Sequence, residues 1–168
     1  DVRPTFALDA TVPMFWVKEL FCVALVAAGL FAVAHLARPG AALGWVEPLA
    51  GAPILAIWLL AAVVLAGAQP EDRFDLIRGI SWTECPYTIA VRSMPVFAAI
   101  VWAMRGFAPT HLRRAGAAAG FAAGAIGALA YTLHCPELDA PFLAIWYVAG
   151  ILIPTVVGAV IGPRVLRW

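Results

Sequence analysis

The side chains best suited to chemistry in this sequence are two cysteines that share a setting. Cys85 stands in Glu84-Cys85-Pro86 and Cys135 in His134-Cys135-Pro136-Glu137. Proline is favoured at the first helical position, so the residue before it reads as an N-cap. Each sulfur is therefore expected at a helix N-terminus, where the helix dipole favours the thiolate, the nucleophilic and metal-binding form. Glu84 and Glu137 oppose that charge. Three readings fit the pair: a structural disulfide, a thiol pair that is oxidised or metallated, or two unrelated residues. Cys85 and Cys135, with His134, Glu84 and Glu137 as helpers, would suit a soft or borderline cation. There is no CxxC and no second histidine at helical spacing, which argues against a structural zinc site. The third cysteine, Cys22, lies among Leu20, Phe21, Val23 and Ala24 and reads as a small apolar filler.

The elements that must carry these residues follow from composition. Of the 168 residues, 64% are apolar and only 12% are charged, with a mean hydropathy of +0.92. Soluble domains run near ~45–50% apolar and ~25% charged. A soluble domain, a disordered tail and a direct nucleic-acid binder are excluded on these figures. A bilayer crossing needs about 20 apolar residues, and five such stretches are present: about 14–36, 49–68, 86–104, 115–133 and 141–161. Each must be a helix, because a lone strand in lipid leaves its backbone groups unpaired. The expected fold class is an all-α, polytopic transmembrane helical bundle, a single membrane-embedded domain over 1–168.

Orientation comes from where the few charges fall. One set of loop ends carries Arg38, Arg105, Arg113, Arg114, Arg164 and Arg167 against Glu47. The other carries Arg3, Arg73 and Arg78 against eight acids, among them Glu71, Asp72, Glu84, Glu137 and Asp139. The positive-inside rule puts the first set and the C-terminus in the cytoplasm, and Cys85 and Cys135 outside. Five crossings then place the N-terminus outside. With no basic leader at Asp1-Val2-Arg3-Pro4, a further helix ahead of Asp1 is expected.

Arg92 lies about two turns into the third span, and an intramembrane arginine needs a partner or a wet cavity. Glu84, Glu19 and Asp139 are its expected partners. Lys18, near the outer end of the first span, is expected to snorkel to the interface. Gly116, Gly120 and Gly124 leave one face of the fourth span almost without side chains, suited to close helix packing or to a homodimer. Gly158 and Gly162 repeat this on the last span. Pro95 and Pro154 should kink their helices. Trp16, Trp45, Trp58, Trp82, Trp102, Trp146 and Trp168 read as interfacial anchors, and His35 and His111 as interfacial too. No carboxylate pair, phosphate loop, Ser/His/Asp set or haem-spaced histidine pair appears inside the spans, so an enzyme is not expected.

Several segments together resemble a known family. They are Ser81-Trp82-Thr83-Glu84-Cys85-Pro86, the loop Arg105-Gly106-Phe107-Ala108-Pro109-Thr110, and the terminal stretch from His134-Cys135-Pro136-Glu137 through Trp146-Tyr147, Gly150, Pro154 and Gly158 to Gly162-Pro163-Arg164-Val165-Leu166-Arg167-Trp168. The chain is similar over essentially its whole length to the NrsF-type negative regulators of sigma F, bacterial membrane-embedded anti-sigma factors. The resemblance implies an inner-membrane protein of six spans, five of them in this chain. It implies an extracytoplasmic-function sigma factor as the cytoplasmic partner, held inactive until heavy-metal or oxidative stress. The family's two periplasm-facing cysteines fall on Cys85 and Cys135, with no cofactor required beyond a possible heavy-metal ion at that pair. A membrane thiol oxidoreductase using the same cysteines and a small metal or solute transporter are the rival expectations.

Overall fold

The computed structural model describes residues 9, 11–40, 44 and 46–167. Asp1, Arg3, Trp45, Trp168 and the side chain of Glu47 lie outside the described residues. Among the described residues all regular structure is helical: α1 Pro13–Leu36, α2 Val46–Gly67, the short α3 Arg73–Arg78, α4 Glu84–Arg105, α5 Leu112–Thr132 and α6 Ala140–Val165. Five of them are long and apolar enough to cross a membrane, which is the architecture of a multi-pass membrane protein. The helices differ from the expected spans at their ends. The third begins at Glu84 rather than Pro86, and the last continues to Val165 past Ile161.

The burial pattern is that of a bundle whose outer surface faces lipid. Leu20, Val63 and Trp102 are each at least 70% exposed, a costly arrangement in water and a neutral one in hydrocarbon. In α5, by contrast, 78% of its most apolar window is buried, against 11% for α2. This follows from composition: α5 is built of alanine and glycine, so α6, α1 and α4 can approach its backbone.

The glycine face is used inside the chain. A Cβ on Gly116 would fall on the Gly158 carbonyl oxygen, and one on Gly120 would fall on the carbonyl oxygen of Pro154. A Cβ on Gly162 would lie 3.1 Å from the Gly116 Cα. On other sides of α5, Gly127 faces the Ile89 carbonyl of α4, and Gly29 of α1 faces the Ala122 backbone. The seam therefore packs α5 against α6, with α4 and α1 alongside.

The last span holds a feature with no signal in the sequence reading. Residues Leu143–Tyr147 form one turn of π-helix between the α-helical pieces Ala140–Phe142 and Val148–Val165. Pro95 and Pro154 lie inside α4 and α6, and both helices continue past them. Two tryptophans expected as interfacial anchors are instead ties. Trp58 Nε1 donates to the Ala144 carbonyl at 2.9 Å, and Trp146 Nε1 to the Ile77 carbonyl at 2.8 Å.

Candidate functional site

The core divides into two apolar clusters. One, rich in small residues, gathers Ala32, Leu36, Met104, Ala115, Ala119 and Leu166 at the end where α4 and α6 finish. The other gathers Cys22, Cys85, Cys135, Tyr131, Phe142 and Tyr147 at the opposite end. The second contains both sequence-nominated cysteines, and each is nearly inaccessible, at 0% and 1% exposure.

Their local settings differ from the expected N-caps. Cys85 lies inside the first turn of α4, whose N-cap is Thr83. Cys135 lies on no helix. It belongs to the irregular segment 135–139 that precedes α6, and Asp139 is the N-cap of that helix, with proline in the first turn after it. The shared Cys-Pro motif thus arises in two different structures. In the first, the proline is taken into the helix; in the second, Pro136 lies in the irregular segment ahead of one.

A lysine organises this segment. Lys18 does not snorkel: it is completely buried. Its ammonium donates to the carbonyl oxygens of Cys135 at 2.8 Å and Glu137 at 2.9 Å, and lies 5.3 Å from the centre of the Tyr147 ring. A buried charge is tolerated only where such partners replace water. Cys22, Cys85 and Cys135 are within electrostatic reach of one another and of Lys18, so the residue read as apolar filler is part of the same group. The Cys135 sulfur is 3.8 Å from Ser81 Oγ. Tyr147 stands beside Cys135, and its buried hydroxyl has no hydrogen-bond partner among the described residues. No disulfide joins the three cysteines.

The expected helpers are placed elsewhere. Glu137 Oε1 accepts the Ile80 amide at 2.7 Å. Gly79 makes this possible: its φ is +57°, and a Cβ there would meet Phe142 at 2.6 Å and the Glu137 carboxyl carbon at 2.9 Å. His134 Nδ1 lies 3.1 Å from an Arg92 guanidinium nitrogen. Arginine only donates, so Nδ1 is the acceptor. Glu84 is exposed at the start of α4. Among the described residues no three His, Cys, Asp or Glu side chains converge on a point that could hold a metal ion.

Arg92 is not paired with Glu84, Glu19 or Asp139 by any observed contact. Besides His134 it reaches the Ala130 carbonyl at 3.4 Å and lies 5.8 Å from the Tyr131 ring centre. A histidine nitrogen, a carbonyl and an aromatic face take the place of the carboxylate. Asp139, outside the spans, has its carboxyl held above its ordinary value by burial first and by the nearby Glu137 charge second.

The other end of the bundle is open and basic. Arg105 Nε donates to the Val165 carbonyl at 2.8 Å, and Arg105, Arg164 and Arg167 border a shallow cleft with Val165 and Leu166. The Gly40 amide donates to Thr110 Oγ1 at 3.3 Å, joining the two loops on that side.

Comparison with known proteins identifies the family. The family described as "Negative regulator of sigma F" matches residues 1–168. The chain is 49% identical over 168 residues to the probable anti-sigma-F factor NrsF of Azospira oryzae, covering 100% of this chain and 79% of that one. It is 38% identical over 172 residues to the anti-sigma-F factor NrsF of Caulobacter vibrioides, again with 100% and 79% coverage. No solved structure matches the chain significantly.

Proposed function

The chain belongs to the family of negative regulators of sigma F, and on that premise we propose that it is a membrane-embedded anti-sigma factor whose stress input is the Cys85–Cys135 pair. In this reading it holds an extracytoplasmic-function sigma factor inactive at the cytoplasmic face of the inner membrane. Heavy-metal or oxidative modification of the cysteines on the periplasmic side releases the partner. The observation that supports the input site is the meeting of Cys85 from α4 and Cys135 from the segment before α6 in one buried cluster. Two distant sequence positions are joined there, and the segment of one is fixed by a buried charge.

The route to the other end follows from connectivity. The helix that carries Cys85 ends at Arg105, and the helix that follows Cys135 ends beside it at Val165, where Arg105 binds its carbonyl. A shift of either helix at the cysteine end displaces the arginine cleft. Such signalling requires two discrete arrangements of the bundle.

Replacing both cysteines by serine tests the reading. Transcription from sigma-dependent promoters is measured with and without cadmium or chromate. The double variant is expected to keep repression and to lose induction. Induction that persists at the parental level overturns the sensor assignment; a parental chain that does not lower sigma-dependent transcription overturns the anti-sigma reading.

A further inference from the structure

Lysine is among the residues least often fully buried, and Lys18 sits in a helix whose other residues are almost all apolar. Its position has a definite consequence for the chain facing it. Residues 135–139 form no helix or strand; the Asp139 carbonyl joins α6 by accepting the Leu143 amide at 3.1 Å, while the Cys135 and Glu137 carbonyls turn to a side chain. The Cys135 and Glu137 carbonyls both accept from the Lys18 ammonium. Remove that ammonium and two buried carbonyls lose a charged donor, which is expensive enough to move the segment. The same cation lies over Tyr147, in the π-helical turn of α6. Lys18 is therefore the point where α1, the Cys135 segment and the π turn are joined.

We propose that Lys18 is the positioning residue of the cysteine site: it fixes the Cys135 sulfur toward Tyr147 and Cys85, and makes α1 the span that responds when that sulfur is modified. This deepens the sensor reading above and rests on it for the second half of the statement. The chemistry at the sulfur explains the response. A soft divalent cation replaces the thiol proton: an S–metal bond forms, a metal–water bond breaks, and the proton leaves to water. The adduct adds positive charge beside an ammonium in a low-dielectric site, where like charges repel strongly. A hydroperoxide instead transfers one oxygen. The O–O bond breaks, an S–O bond forms, the sulfur is oxidised by two electrons to the sulfenic acid and the hydroperoxide is reduced to the alcohol. The new oxygen is an acceptor that competes with the two carbonyls for the ammonium. Both reactions therefore loosen the same pair of hydrogen bonds.

The test uses the full membrane-embedded chain with Cys22→Ser and Cys85→Ser, leaving Cys135 as the single thiol. The alkylation rate with N-ethylmaleimide is compared for Lys18, Lys18→Met and Lys18→Arg. Removing two charge-assisted hydrogen bonds opens the segment, so Lys18→Met is expected to speed alkylation by about tenfold or more, with Lys18→Arg restoring protection to within about threefold. A folded Lys18→Met variant that alkylates at the parental rate overturns the positioning role. So does a Lys18→Arg variant as exposed as Lys18→Met. The second half is read without any lysine variant: cadmium added to the unmodified chain should increase amide hydrogen exchange in Pro13–Phe21, and Cys135→Ser should abolish the increase. No change in α1 overturns that half even if Lys18→Met fails to fold. None of these readouts involves the sigma factor. If they succeed while the promoter response of the double cysteine variant stays parental, the positioning role stands and the sensor function falls.

Discussion

The helix pair α5–α6 is held in two different ways along its length. Toward the arginine end, Gly116 and Gly120 meet Gly158 and Pro154 backbone to backbone, with no side chain between. Toward the cysteine end, Tyr131 and Tyr147 separate the helices with ring centres 5.9 Å apart, and α6 widens into its π turn. The first contact is rigid because backbone atoms cannot change rotamer. The second is made of side chains, a buried ammonium and irregular chain, all of which have alternatives. On the proposed reading, a modification at Cys135 would meet the adjustable half, and the rigid half would carry the displacement to Arg105 and the Val165 carbonyl.

The comparison breaks most visibly at Gly120. Its substitution by valine places a methyl-bearing carbon where the Pro154 carbonyl oxygen lies, so the helices must separate along the seam. A loss of about 3 kcal/mol or more is expected, read as failure to accumulate or a lowered Tm in detergent. The matched control is Gly51→Ala in α2. Nothing lies within 4 Å of a Cβ there, so the substitution should be neutral or gain up to about 1 kcal/mol from helix propensity. Equal losses at both positions would mean that glycine content, and not the seam, is what the bundle needs.

A smaller effect sharpens the contrast at the other half. The Tyr147 hydroxyl is buried without a hydrogen-bond partner among the described residues. Tyr147→Phe removes an unsatisfied group while keeping the ring over Lys18, so stability should stay within about 1 kcal/mol of the parent or rise. A clear loss of stability would show the hydroxyl to be bonded. Stability unchanged with induction lost would assign the hydroxyl to signalling through the neighbouring Cys135 sulfur.

The two halves were unequally legible in the sequence. The glycine face could be read from spacing alone, since Gly116, Gly120 and Gly124 recur at the interval that puts small residues on one face. Helix count followed from apolar length in the same way. The cysteine half resisted because its contacts are long-range and unlike their usual types. A lysine near a span end is ordinarily a snorkelling residue, and only the fold reveals that the backbone of residues 135 and 137 awaits it. Arg92 was recognisable as needing a partner, yet carboxylates were the natural candidates and His134 was the finding. Cys-Pro signalled helix starts at two places and was informative at one, because Asp139 with Pro141 offers a second start four residues after Cys135. The π turn leaves no mark in residue types at all.

Asp139 provides the finest discrimination, since it sits where the adjustable half begins. Its carboxyl lies above its ordinary value because burial, and then the Glu137 charge, penalise the ionised form. The folded protein therefore binds more protons than the unfolded chain between the two values, and stability falls as pH rises through that window. Below the unfolded value the penalty is absent; above the folded value it is complete. Asp139→Asn removes it, so the variant should melt higher than the parent at neutral pH and the gap should close on acidification. The N-cap makes no side-chain hydrogen bond that the amide would lose. A gap that persists unchanged in acid would trace the effect to shape rather than charge. A gap that closes shows that the segment before α6 carries electrostatic strain in its resting state, which is what an adjustable half requires and a glycine seam cannot store.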